Sequence, residues 1–178
     1  ANPGQDGRDW ERPCSLELVY PNGSKGFQID AGIRIRGGFS RSTGNPKHAL
    51  RFFFRESYGE SKLKFPLFGN AGTDEFDALD LRTFQNYSWS FQGDSQGVFI
   101  RDQFSRDSQL DMGRQGERGN YYHLYINGQY WGLYNSCERP EAAYAATYYG
   151  GNKDDYDVVK VEAGPYTINA TDGNMAAW

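Results

Sequence analysis

Two stretches of this 178-residue chain combine residue types that can handle charge. The first is IRGGFSRSTGNPK, residues 35–47. Its glycines permit tight turns and a close approach of backbone to a ligand, and N–H groups exposed in such a turn can cradle phosphate. Lys47 opens KHALRFFFR (47–55), where a period of two puts Lys47, Ala49, Arg51 and Phe53 on one face and His48, Leu50, Phe52 and Phe54 on the other. The second face is core. The first joins two cations to a small residue and would complement phosphate charge. The pattern GxxxxGK[ST] is absent, so this is not a P-loop. A plain turn followed by a solvated cationic face accounts for the same residues.

The second stretch is YYHLYINGQYWGLYNSCERPE, residues 121–141. Asn127-Gly128 is a strong two-residue hairpin signal. An unbroken hairpin pairs Ile126 with Gln129, Tyr125 with Tyr130, Leu124 with Trp131, His123 with Gly132 and Tyr122 with Leu133. Leu124, Ile126, Trp131 and Leu133 then share an apolar face. His123, Tyr125, Tyr130, Gly132, Tyr134, Ser136 and Glu138 share the other. Gly132 leaves a gap where something can approach closely. Glu138 stands where strand gives way to a helix begun by Pro140. It is either a carboxylate favoured by that helix's dipole or one oriented beside a ligand.

A helix is predicted within GDSQGVFIRDQFSRDSQLDMG, with Asp94 or Ser95 as N-cap, Ile100 and Phe104 at i,i+4 and Gly113 as its stop. Its two Arg-Asp pairs, Arg101-Asp102 and Arg106-Asp107, suit a salt-bridged helix face. Alternatively, Arg101 or Asp102 orders a cleft from behind a sheet. The two histidines, His48 and His123, lie on different strands without a carboxylate or cysteine at ligand spacing, so a protein-only metal site is not expected. His48 reads as a hydrogen-bonded core histidine. No GxSxG occurs. Cys14 and Cys137 make no disulfide framework and fit no zinc pattern, which leaves buried free thiols.

These residues need elements to position them. Residues 1–13 read as an extended arm, 14–30 as a hairpin, 31–38 and 47–55 as two more strands, and 74–84 as another. After the helix and the aromatic hairpin, Pro140 starts a second helix that Gly150-Gly151 ends, and 154–162 is the last strand. The expected class is α+β, a twisted and mostly antiparallel sheet with one or two packed helices. Aromatics form 16% of the chain and are spread along it, so a core is available despite a mean hydropathy of -0.79. A net charge of -4 argues against a nucleic-acid partner, and no apolar run approaches the roughly 20 residues of a membrane span.

IRIRGGFSRSTGNPKHALRFFFR, KFPLFG, FIRDQFSRD, HLYINGQYWGLYNSCERPE and DYDVVK together resemble the CotH kinase family, spore-coat CotH-type proteins and their often secreted bacterial relatives. The resemblance runs from about residue 10 to residue 162. It implies an atypical, protein-kinase-like fold that uses ATP and Mg or Mn to phosphorylate protein Ser/Thr. The expected nucleotide-binding residues are Arg36, Gly37, Gly38, Ser40 and Arg41 in the loop, Lys47 on the phosphates with Arg51 as helper, and Glu138 in the cleft or paired with the lysine. Arg101 and Asp102 are candidates for cleft support. The family's Trp-Asp-x-Asp segment, which carries catalytic and metal-binding carboxylates, is absent, and Asp154, Asp155 and Asp157 do not match it. The chain is therefore expected to be one partial domain: an arm (1–13), a kinase-like N-terminal lobe (14–162) and the start of a further segment (163–178). Such a lobe would bind nucleotide without turnover. Its expected partners are a protein substrate and the rest of its own domain, at an extracellular or cell-surface location. The rival expectation is a non-catalytic extracellular module whose tyrosine-rich hairpin and four Trp bind carbohydrate or protein.

Overall fold

The alternation of apolar and polar residues that marks the strands also fixes which way each one faces. The computed structural model describes residues 3–84, 95–162 and 166–178. The chain runs through β1 (Arg12–Glu17), β2 (Gln28–Arg36), β3 (Ala49–Phe53), β4 (Leu63–Lys64), β5 (Glu75–Phe76) and β6 (Ala78–Arg82). Then come α1 (Arg101–Asp111), β7 (Gly119–Ile126), β8 (Gln129–Cys137), α2 (Ala142–Tyr149), β9 (Val158–Glu162) and β10 (Thr167–Asp172). These form two compact units, Ala1–Glu138 and Arg139–Trp178. The helix expected to start at Pro140 begins instead at Ala142, and it and the strand expected at 154–162 belong to the second unit, where β9 pairs antiparallel with β10. The α+β class with a mostly antiparallel sheet and two helices is what the chain adopts.

The first unit is built on a six-stranded sheet in the order β1-β2-β3-β6-β8-β7, with every neighbour antiparallel. Leu50, Phe52, Leu79, Leu81 and Tyr134 are buried on one face, with Ile33, Ile35, Tyr122 and Leu124 packed against them. Pro13 sits in β1 at the sheet edge, where a missing N–H costs no ladder bond. The end of the hairpin expected over 14–30 and the strand expected over 31–38 are one strand, because Ala31 and Gly32 pair straight through with Cys14 and Pro13. Gly32 marks a close approach and not a strand end. A Cβ there would lie 2.5 Å from Glu11 Oε1 and 2.6 Å from the Tyr58 ring. Helix α1 starts at Arg101, later than the expected caps: Asp94 lies outside the described residues, and no side chain caps the helix. Gly113 stops it as expected, at φ 72°.

The aromatic hairpin turns at Asn127-Gly128, and its first two pairs are Ile126 with Gln129 and Tyr125 with Tyr130. There the register shifts by one. Leu124 faces Gly132, His123 faces Leu133 and Tyr122 faces Tyr134, leaving Trp131 as the extra residue of a bulge. One extra residue reverses every side chain beyond it relative to β7. Tyr134 therefore joins Tyr122 and Leu124 in the core, against the expected parity. The gap at Gly132 (φ 111°) is filled from within the chain, since a Cβ would stand 2.9 Å from Lys47 Nζ. Gly132→Ala should cost on the order of 2 kcal/mol in urea denaturation, from backbone strain and collision together. Adding Lys47→Ala should restore only the collision part, so the two changes are non-additive.

Candidate functional site

The sheet face opposite the core is set by register. Arg34 pairs with Arg51, Arg51 with Asp80 and Asp80 with Cys137, so one cross-strand row reads Arg, Arg, Asp, Cys over β2, β3, β6 and β8. At its centre Asp80 is 2% exposed. Arg51 Nε and Nη2 donate to its two oxygens at 2.5 and 2.8 Å, and Arg36 Nε lies 3.0 Å from Oδ2. A second carboxylate, Glu11, is also buried and ion-paired to Arg55 at 3.1 Å and Arg34 at 3.5 Å. Each triad holds two guanidiniums for one carboxylate, so the face keeps a positive surplus. Burial lowers the Arg36 pKa and Asp80 opposes that shift, while Arg51 and Arg82 add to it.

Helix α1 covers the far end of this face. Arg82, two residues beyond Asp80, is 2.5 Å from Asp102 in the first turn of α1. Buried Arg106 donates to Glu117 at 3.1 Å, to Gln103 at 3.3 Å and to Asn135 of β8. The helix thus docks through polar groups, while Ile100 and Phe104 stay 56% and 68% exposed. Of the two candidates for cleft support, Asp102 engages the sheet and Arg101 is exposed. Arg106 makes no ion pair with Asp107; it bonds to Gln103 one turn back on its helix and reaches Asn135 in the sheet.

The Gly-rich loop is braced by its own polar side chains. Ser40 Oγ donates to Arg36 O at 3.1 Å, Arg41 Nη2 to Ile35 O at 2.8 Å and Asn45 Nδ2 to Phe39 O at 2.8 Å. His48 Nδ1 is 3.0 Å from Ser40 O, so it is hydrogen-bonded as expected. Gly37 takes φ 106°, and a Cβ there would strike Ser40 Oγ. Gly38 faces open space.

Lys47 does not share the face of Arg51. Strand pairing begins only at Ala49, so the period of two does not reach back to residue 47. Lys47 Nζ donates to Leu133 O at 2.6 Å and lies 4.2 Å from the centre of the Tyr134 ring, which belongs to the core side. Burial lowers its pKa. Pairing of Lys47 with Glu138 fails on geometry. Leu133 and Glu138 are five residues apart, about 17 Å at 3.4 Å per extended residue. Glu138 is buried and accepts the Arg118 N–H at 2.8 Å, with the Arg118 guanidinium 3.5 Å away, and so closes the sheet end where β7 begins.

A profile of the CotH kinase protein family matches residues 33–177. The chain belongs to that family. Comparison with curated proteins returns no match. The CotH match takes in the arginine face, the braced loop and α1, while Glu11 precedes it. Membership implies nucleotide and metal use. Surplus guanidiniums fit the phosphates. Among the described residues no three His, Cys, Asp or Glu side chains group so as to hold a metal ion. Sequence reasoning missed Asp80, Arg82 and Glu11. The available signal was ALDLR, where Asp80 and Arg82 alternate with Leu79 and Leu81 as Arg34 and Arg36 do with Ile33 and Ile35.

Two outcomes test this geometry. Asp80→Asn strands Arg36 and Arg51 without their counter-charge and should cost about 3–5 kcal/mol in chemical denaturation. A loss under about 1 kcal/mol would mean the triad is solvent-screened. Burial raises Cys137 to about 12 and Cys14 to about 11 from an ordinary 9.0. The folded state then holds protons that the unfolded chain releases above pH 9. Stability should therefore fall as pH rises past 9, by up to about 1.4 kcal/mol per pH unit for each thiol. Cys137→Ala should flatten that fall, and iodoacetamide should label native Cys137 far more slowly than the unfolded chain.

Proposed function

We propose that the first unit is the nucleotide-holding part of a CotH-type kinase, with ATP phosphates received on the arginine face. The observation that carries this reading is the Arg82–Asp102 pair, a strand cation held by a carboxylate from the helix that follows the strand. Protein kinases need such a strand-cation, helix-carboxylate pair to hold phosphates, because phosphoryl transfer is catalysed mainly by positioning and charge neutralisation. Arg36 and Arg51, fixed on Asp80, lie next to it and present fork-shaped donors suited to phosphate oxygens. The loop from Gly37 to Asn45 covers the end of β2, and its bracing gives Gly38 an open approach. In this reading Lys47 and Glu138 support the fold. We further propose that the protein works outside the cell or on its surface and acts on a protein Ser/Thr, a reading supported only by the family likeness.

Calorimetric titration with ATP tests it. Arg82→Ala and Asp102→Asn should each weaken binding tenfold or more, with Lys47→Ala within about threefold of the parent. Loss of binding in Lys47→Ala with none in Arg82→Ala would move the phosphates to the loop side and defeat the assignment. A second reading, a carbohydrate-binding module, is favoured by the hairpin tip, where Tyr125 and Tyr130 are 61% and 52% exposed with rings 5.2 Å apart. Glycan binding without any ATP-dependent thermal shift would select it.

A further inference from the structure

The N-terminal arm ends in a side chain that behaves as a bound ligand of the sheet. Glu11 precedes β1, yet its carboxylate lies wholly inside, 3.1 Å from Arg55 and 3.5 Å from Arg34, and hydrogen-bonded with the Tyr58 hydroxyl. The place is shaped for it. Gly32 offers no side chain where Oε1 sits, at 2.5 Å from a would-be Cβ. Both guanidiniums are held in turn on the Phe53 ring, 4.1 Å from its centre for Arg34 and 4.8 Å for Arg55. The cradle is therefore built by β2, β3 and the turn after it, and only its occupant comes from the arm. Further back along the arm, Asp6 reaches Arg41 at 3.3 Å while remaining 82% exposed.

We infer that Gly32, Arg34, Arg55 and Tyr58 form a carboxylate-binding site occupied in cis by Glu11, which makes the arm a strap latched along the arginine face. Releasing the latch adds two guanidiniums to that face and opens a site for a small carboxylate anion. This holds whatever the rest of the face binds. The site chemistry is a bidentate-capable anion between two arginines with a phenol donor, and acetate is the simplest probe.

Chemical rescue in the full chain tests it. Glu11→Ala leaves two partly buried cations, 21% and 35% exposed, facing an empty cradle, and its Tm should fall by roughly 10 °C. Acetate should restore most of that loss saturably, while chloride at equal ionic strength should not, and the parent protein should shift no more in acetate than in chloride. Adding Arg55→Met should abolish the rescue. Equal effects of acetate and chloride, or rescue that survives Arg55→Met, overturn the site. Should Glu11→Ala not fold in any buffer, Glu11→Ser, whose short side chain also vacates the cradle, takes its place. An acetate-dependent Tm gain larger than the parent's supports the latch, and an equal gain overturns it. No nucleotide enters either measurement, so the result stands apart from the ATP titration.

Discussion

The sheet depends on a carboxylate that has nowhere else to go. Asp80 is buried in the middle of β6, and a charge buried without partners costs several kcal/mol. Its partners come from two other strands, Arg51 directly opposite on β3 and Arg36 on β2. A slip of one residue at either pairing would turn Asp80 or an arginine into the apolar face, beside Leu50, Phe52 and Leu79. The triad thus adds a register constraint to the one the core residues impose. It also explains the crowding of arginines: one carboxylate bidentate to Arg51 still attracts Arg36, and the pair leaves one positive charge over. A face built to satisfy its own buried acid becomes, by charge count, a face for anions.

That face also changes how α1 is attached. A surface helix ordinarily lays an apolar stripe on the sheet. Here the sheet offers Arg82 and Asn135, so the helix answers with Asp102, Gln103 and Arg106 and turns Ile100 and Phe104 outward. The i,i+4 spacing of Ile100 and Phe104 identified the helix correctly but not the side that meets the sheet. Periodicity reports amphipathicity. Which stripe is buried depends on what the neighbouring strand presents.

Strand existence was legible because period two survives in Ile33-Arg34-Ile35-Arg36 and Leu50-Arg51-Phe52. What lay beyond it was non-local. Trp131 as a bulge has no signature in the hairpin's composition, yet it moves Tyr134 into the core and so undoes a parity argument that was sound up to residue 130. Lys47 looked like a phosphate ligand because it stands one loop after a glycine pair, but the strand starts two residues later and its ammonium turns to Leu133 O. Of the loop residues named from sequence, Ser40 and Arg41 are engaged with Arg36 and Ile35 carbonyls. Arg36 and Arg51 do meet, on Asp80, a residue that spacing alone could not couple to them. Glu11 lay in the segment expected to be an arm, and nothing nearby in sequence announces that Arg34 and Arg55 will close on it.

Three glycines within strands show one physical rule at work. A glycine inside a strand forfeits packing and backbone entropy, so its position needs a return. At Gly32 that return is the Glu11 carboxylate, at Gly119 it is Gln103 of α1, whose Oε1 would stand 2.5 Å from a Cβ, and at Gly132 it is the Lys47 ammonium. In each case the missing side chain admits a polar or charged group from a distant segment: the arm, the helix or the loop before β3. The groups admitted are then hydrogen-bonded or ion-paired to strand or neighbouring residues, as buried polar atoms require. The sheet therefore gathers its non-sheet segments through polar keys set into glycine notches and leaves its apolar contacts to the core face. A larger residue at any notch would do more than crowd the backbone. It would expel the key, and with it the segment that the key holds.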